Sequence, residues 1–162
     1  MRWVAAVVAA LVCAAPAAAV TDRLQWPLRP EPAVVRAFDA PSPKWQRGHR
    51  GVDLAGSAGR QVYAAGPGTV MFAGLLAGRP VVSIAHPGGL RTSYEPVDPS
   101  VRAGQRVGAG AAIGVLQSGH AGCPVPACLH WGAMWGPAAN ADYVDPLGLL
   151  AGTPIRLKPT DS

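Results

Sequence analysis

Short apolar runs rich in valine, isoleucine and tyrosine, broken by glycine and proline, fill the chain from Gly48 onward. Such runs are typical of short β-strands joined by tight turns. They predict strands at 61–64, 69–73, 81–86, 91–95, 113–116 and 128–134, with an earlier candidate at 33–38. Turns are predicted at 66–68, 77–80 and 87–89, and only 146–150 predicts a helical turn. Many short strands at close spacing favour an all-β fold, a compact antiparallel β-sandwich or barrel-like core.

The first 19 residues have the pattern of a signal peptide. Arg2 supplies the positive start, residues 3–15 form the apolar stretch, and Ala17-Ala18-Ala19 is a small-residue cleavage site. The alternative is a membrane anchor, but the apolar run is shorter than the roughly 20 residues of a spanning helix. No second long apolar run follows in the sequence, so we expect a secreted, extracytoplasmic protein with no membrane span after cleavage.

The rest of the chain, which has 162 residues in all, suits one domain with its own core. We expect a signal peptide at 1–19, an irregular lead-in rich in proline and arginine at 20–47, a domain at 48–151 and a polar tail at 152–162. The formal net charge of +5 favours anionic surroundings but identifies no partner. Because no Lys/Arg cluster is interleaved with aromatic residues, a nucleic acid partner is not expected.

Two cysteines, Cys123 and Cys128, remain once Cys13 leaves with the signal peptide. An even pair at short spacing in an oxidising compartment predicts a local disulfide. The alternative is a pair of zinc ligands, although no second cysteine pair exists to complete a structural zinc site.

Two histidines and an aspartate are the candidate chemistry of the chain. His49 and Asp53 stand four residues apart, and His130 follows much later in Cys128-Leu129-His130. These are three ligands of the kinds that a catalytic zinc takes, which would leave one position open for water. Val52 and Leu54 alternate with Asp53 as in a strand that enters a core, so Asp53 is expected to face the other way.

The chain resembles the lysostaphin-type, or LytM-type, zinc metallopeptidase family. The resemblance spans Gly48 to about Leu150 and rests on the order and spacing of five segments: 48–54, 62–70, 107–114, 129–132 and 144–147. It implies a compact antiparallel LytM-type β fold for the domain at 48–151. It also implies that His49, Asp53 and His130 bind zinc (Zn2+) and that the substrate is bacterial peptidoglycan.

The chain departs from this family at two positions. Cys128 stands where the family has the first histidine of its His-x-His motif, and Pro96 stands where a second assisting histidine is usual. His120, on a loop flanked by Gly119 and Gly122, is the first candidate for a substitute proton carrier, since its ordinary pKa suits proton transfer near neutral pH. Glu95 and Tyr94 are the next candidates. His86 is interpreted as structural.

Two functional hypotheses follow from this pattern. The first is an exported zinc metalloendopeptidase that cleaves peptide bonds in bacterial cell-wall peptidoglycan and is associated with the wall. The alternative is a catalytically weak or inactive zinc-containing module that binds the wall or regulates other wall hydrolases. The intact ligand set favours the enzyme, although a family does not guarantee an activity.

Overall fold

The computed structural model describes residues 23–40 and 46–151, without the side chain at 138. The predicted signal peptide at 1–19 and polar tail at 152–162 lie outside these residues. The described part contains these strands: β1 Val34–Arg36, β2 Val52–Gly56, β3 Gln61–Tyr63, β4 Gly68–Leu76, β5 Arg79–Ala85, β6 Leu90–Glu95, β7 Val97–Pro99, β8 Arg106–Val107, β9 Ala112–Leu116, β10 Ala127–Trp135 and β11 Asp142–Val144. Its helical segments are short 3-10 turns at Pro87–Gly89, Ala138–Asn140 and Pro146–Leu149.

The strands form two antiparallel sheets. The larger has eight strands in the order β1-β2-β10-β6-β5-β4-β8, with β11 paired to β10, and the smaller has the order β3-β9-β7. All pairings between these strands are antiparallel. The all-β antiparallel fold predicted from the sequence is therefore confirmed.

The turn between β4 and β5 is shorter than predicted. The prediction placed 77–80 in the turn, but Arg79 and Pro80 already belong to β5. Ala77 and Gly78 alone make the turn, with φ of 50° and 79°. Two consecutive positive φ angles match the tight hairpin turn whose twist suits the flanking strands.

The core lies between the two sheets. On β10 the buried side chains Leu129, Trp131 and Ala133 alternate with residues of the opposite face. From the predicted lead-in, Leu24 and Leu28 join the same buried cluster. Leu24 also bridges Leu150, which ties the two ends of the described chain together.

Four neighbouring strands place a row of polar residues on the face of the large sheet that is turned away from this core. Arg36 on β1 is opposite Asp53 on β2, Asp53 is opposite His130 on β10, and His130 is opposite Glu95 on β6. Residues directly opposite in antiparallel strands project from the same face of a sheet. The register shifts between Val34 and Arg36, so the place of Arg36 on this face rests on the groove that it lines together with His130 and Glu95. Arg36, Asp53, His130 and Glu95, in this order, are called the site row below.

Candidate metal centre and its groove

Three atoms converge at the middle of the site row. The Nε2 atom of His49 lies 2.9 Å from Asp53 Oδ1 and 3.1 Å from His130 Nδ1. His130 Nδ1 lies 2.9 Å from the same Asp53 oxygen. Asp53 is fully buried and His49 nearly so. The structure therefore brings together the three residues that the sequence singled out as metal ligands.

The hydrogen bond between His49 and Ala37 indicates which ring nitrogen of His49 carries the hydrogen. Its Nδ1 lies 2.7 Å from the carbonyl oxygen of Ala37, which can only accept, so Nδ1 carries the hydrogen. In neutral His49 the Nε2 lone pair then faces the carboxylate of Asp53. Lone pairs repel one another at this distance unless a cation lies between them. The other oxygen, Asp53 Oδ2, is buried without a hydrogen-bond partner among the described residues.

This donor set fits a metal ion. Zinc ligands at about 2.0–2.1 Å in a tetrahedron lie about 3.3 Å from one another, close to the separations seen here. The bond from His49 to Ala37 also follows the usual arrangement, in which the second ring nitrogen of a metal-binding histidine is held by a hydrogen-bond acceptor.

Opposing effects act on the Asp53 carboxyl group. Burial alone would raise its pKa, but interactions with the imidazoles of His120, His130 and His49 outweigh burial and hold the pKa of Asp53 well below its ordinary value. Asp53 is therefore a carboxylate across the neutral range, which is the form that binds a metal ion.

Gly51 leaves the room that His130 needs. A Cβ atom at this position would lie 2.6 Å from the carbonyl oxygen of Trp131 and 2.7 Å from His130 Nε2. Any larger residue would displace the histidine or the strand. The glycine between His49 and Asp53 in the sequence is thus explained by the close approach of β10.

His120 joins the cluster from the loop that precedes β10. Its Nε2 atom lies 3.2 Å from Asp53 Oδ1, and its ring stacks on that of His130 with centroids 5.5 Å apart. One ligand atom from each of His49, Asp53, His120 and His130 lies within 4.8 Å of all the others. The opposite ring nitrogen, His120 Nδ1, lies 4.0 Å from Glu95 Oε1, and Glu95 is paired with Arg79 at 2.8 Å.

A disulfide anchors this loop. Cys123, three residues after His120, is bonded to Cys128, two residues before His130. The predicted disulfide is confirmed, and the alternative of two cysteine zinc ligands is wrong, because a disulfide sulfur has no thiolate to offer. Cys128, which replaces a histidine of the family, is fully buried.

Two other residues from the sequence analysis lie away from the centre. Tyr94 is fully buried, and its hydroxyl accepts from the backbone N–H of Ala65 at 2.9 Å. Burial raises the pKa of Tyr94 to about 12. The side chain lies in the core and is not among the residues that line the groove described below. His86 Nδ1 donates to the carbonyl of Pro67 at 2.8 Å, and its Nε2 is joined to the Thr92 hydroxyl at 2.7 Å. These bonds agree with a structural role.

The cluster lies in an open groove of about 620 Å³. His49, His120 and His130 line it together with four arginines, which are Arg36, Arg50, Arg79 and Arg91. These arginines cannot be recognised from the sequence, because they come from separate segments and no local motif unites them. Only the fold brings them to one surface.

The described residues thus form an all-β fold with a cluster in an open groove that could hold a metal ion. The chain belongs to peptidase family M23, whose model matches residues 47–146. The match contains His49, Asp53, His120 and His130.

The chain is also similar to two mycobacterial proteins. The chain is 71% identical over 152 residues to uncharacterized protein Rv2891 of Mycobacterium tuberculosis and equally to uncharacterized protein Mb2915 of Mycobacterium bovis. These residues are 94% of this chain but 61% of each relative, so the chain spans less than two thirds of their length.

Among solved structures, Csd3 of Helicobacter pylori is 25% identical with a TM-score of 0.64, over 86% of this chain and 39% of Csd3. The peptidase lysostaphin of Staphylococcus simulans is 24% identical with a TM-score of 0.61, over 77% of this chain and 53% of lysostaphin. A zinc-containing peptidase of Vibrio cholerae is 24% identical with a TM-score of 0.58, over 70% of this chain and 37% of that peptidase. The latter two show the shared fold. Within the described residues, no helix has the length and apolar character needed to cross a membrane.

Proposed function

We propose that this protein is an exported zinc metalloendopeptidase that cleaves peptide bonds in bacterial cell-wall peptidoglycan. The observation that carries the proposal is the convergence of His49 Nε2, Asp53 Oδ1 and His130 Nδ1 in an open groove. Membership of family M23 supports peptide-bond cleavage. The disulfide and the signal-like first 19 residues support action outside the cytoplasm.

In this proposal His49, Asp53 and His130 hold the zinc ion. When bound, zinc would polarise the carbonyl of the cleaved bond and lower the pKa of a water molecule. The Ala37 carbonyl holds the His49 ring so that Nε2 would face a bound ion, and the opposed strands β2 and β10 hold Asp53 and His130 in register.

His120 is assigned the proton transfer that the family's missing histidines would otherwise perform. Its Nε2 atom is 3.2 Å from Asp53 Oδ1, so it lies beside the place where the ion would be held. Glu95, 4.0 Å from Nδ1, would orient the ring and stabilise its charged form. A loop histidine thereby takes over the task for which Cys128 and Pro96 have no suitable group.

Release of cross-linked peptides from isolated cell walls tests this function. We expect wild type to release peptides and His49→Ala to release none. His120→Ala should be about 10²–10⁴-fold slower, which is the usual loss on removing a general acid–base. The matched control is Ser118→Ala, an exposed residue of the same loop, and should behave as wild type. Metal analysis should find one zinc in wild type and in His120→Ala.

The outcomes separate the alternatives. If wild type releases no more peptide than His49→Ala, the protein is the inactive wall-binding or regulatory module that the replacements at Cys128 and Pro96 also allow. If His120→Ala cleaves faster than wild type and binds zinc more weakly, His120 is a fourth ligand that closes the site. Unchanged cleavage by His120→Ala would refute its role and leave Glu95 as the next candidate.

A further inference from the structure

The groove around the candidate centre is strongly cationic. Of its lining residues in the described part of the chain, four are arginines and one, Glu95, is a carboxylate. Glu95 is already paired with Arg79 at 2.8 Å. A bound zinc ion would add further positive charge. A groove of this charge attracts anions and disfavours cationic peptides.

Arg36 is the arginine whose position is best defined relative to the centre. Its Cα is directly opposite that of Asp53, in the neighbouring strand of the site row. The side chain is exposed, and one terminal nitrogen lies 4.0 Å from the place that a Cβ on Gly122 would occupy. The guanidinium therefore extends from β1 toward the loop that carries His120, at the rim of the groove.

The site row is polarised about the metal centre. Arg36 stands at one end of the row, beside Asp53, and Glu95 stands at the other, beside His130. An anionic group of a bound peptide would be attracted by Arg36, whereas Arg79 already neutralises Glu95 at the other end of the row. The row therefore favours an acidic group on the Arg36 side of the cleaved bond.

The distances match a group close to the cleaved bond. Neighbouring strands lie about 4.8 Å apart, so Arg36 is one strand from Asp53 and two from His130. An extended peptide advances about 3.3–3.6 Å per residue. A carboxylate one or two residues from the bond would thus reach the guanidinium, whose paired N–H groups match carboxylate geometry.

We propose that the groove selects peptides with a free carboxylate within two residues of the cleaved bond, and that Arg36 binds that carboxylate. The inference takes its peptide substrate from the proposed function and adds the chemistry by which the substrate is chosen. Arg36 is a specificity residue in this scheme and takes no part in proton transfer.

The test uses one substrate in two forms. Cross-linked peptides isolated from cell walls are compared as free acids and after carbodiimide conversion of their carboxyl groups to amides. Binding to the purified protein is measured by calorimetry on the His120→Ala background, so that slow cleavage does not interfere, and cleavage is measured separately with His120 intact. Arg36→Gln removes the charge, Arg36→Lys keeps the charge without the paired donors, and Arg102→Gln is the matched control for an exposed arginine outside the groove.

With Arg36 present, we expect the free acids to bind about 10-fold more tightly than the amides, equivalent to about 1.4 kcal/mol. In Arg36→Gln the affinities for the acid and the amide should differ by no more than about twofold. The preference of Arg36→Lys should lie between those of wild type and Arg36→Gln, and Arg102→Gln should keep the full preference. Thermal melting checks that each variant is folded.

An unchanged preference in Arg36→Gln, or no preference when Arg36 is intact, would overturn the inference. Cleavage without a preference for the acid would overturn the inference and leave the proposed function standing. A preference for the acid without cleavage would support the role of Arg36 in binding and overturn the proposed function.

Discussion

Removal of the Cys123–Cys128 disulfide should destabilise the protein by an amount that follows from the length of the loop it closes. The two cysteines are five positions apart. The chain-entropy relation for so short a loop gives about 2 kcal/mol, and the melting temperature should fall by roughly 4–10 °C. The perturbation is the double variant Cys123→Ala with Cys128→Ala. Because Cys128 is fully buried, the lost sulfur atom adds a packing cost to that variant.

Scanning calorimetry of wild type with and without reductant separates the two contributions. Reduction breaks the bond without removing an atom, so its effect reports loop closure alone, while the double variant reports closure and packing. Mass spectrometry after thiol labelling confirms that both cysteines have been reduced. A fully reduced protein that melts within about 1 °C of the oxidised form would refute the calculation.

The same bond should affect catalysis through His120 alone. Cys123 is three residues from His120, and the bond holds this loop against β10. We expect the double cysteine variant to lose activity, and to lose no more when His120→Ala is already present. This is a double-mutant cycle, in which dependence between sites appears as non-additivity. Additive losses would show that the disulfide acts on the site by another route.

Two further predictions concern pH and metal binding. Burial lowers the pKa of His86, so below about pH 6.5 the unfolded chain takes up a proton that the folded chain refuses, and the free energy of unfolding falls by up to about 1.4 kcal/mol per pH unit. Urea titrations at pH 7.5 and 5.5 measure this loss of unfolding free energy, which should be smaller in His86→Gln than in wild type. Equal losses in the two proteins would contradict the lowered pKa of His86. Gly51→Ala should push against His130 and weaken zinc binding at least about 10-fold in competition with a chelator, as changes around metal ligands commonly do. Gly108→Ala, where an added Cβ meets nothing within 4 Å, should bind zinc as wild type does; equal affinities of the two variants would refute the steric argument.

Much of the fold could be predicted because strand patterns are local. The apolar and β-branched runs at 81–86 and 128–134 are long enough for alternation to be visible, and both are found as strands. Strands β7, β8 and β11 are absent from the prediction, because each has only two or three residues, one of them charged, and shows no readable alternation. The shortened turn at Ala77 was also missed, since an alanine gives no sign that it will adopt a positive φ.

The candidate site could be predicted from the sequence in part, and the parts that could not be predicted have physical causes. Tyr94 and Glu95 cannot both reach the site, because adjacent residues of one strand face opposite sides of a sheet. Glu95 faces the groove and Tyr94 faces the core. The position of Arg36 could not be predicted, because it depends on which strand pairs with β2 and in what register.

The replacement of a histidine by Cys128 and the position of His120 are best understood as one change. Cys128 precedes His130 by two residues, on the strand that carries His130. A cysteine has no ring nitrogen to offer there, and its bond to Cys123 leaves it no free thiol either. That bond ties the loop to β10 close to the place where His120 Nε2 comes within 3.2 Å of Asp53. Without the tie, the glycines at 119 and 122, both at positive φ, would leave the loop free to sample many conformations. Cys128 thus provides no imidazole itself, but its disulfide holds the imidazole of His120 close to Asp53. For this reason we expect proton transfer at the site to survive the replacement.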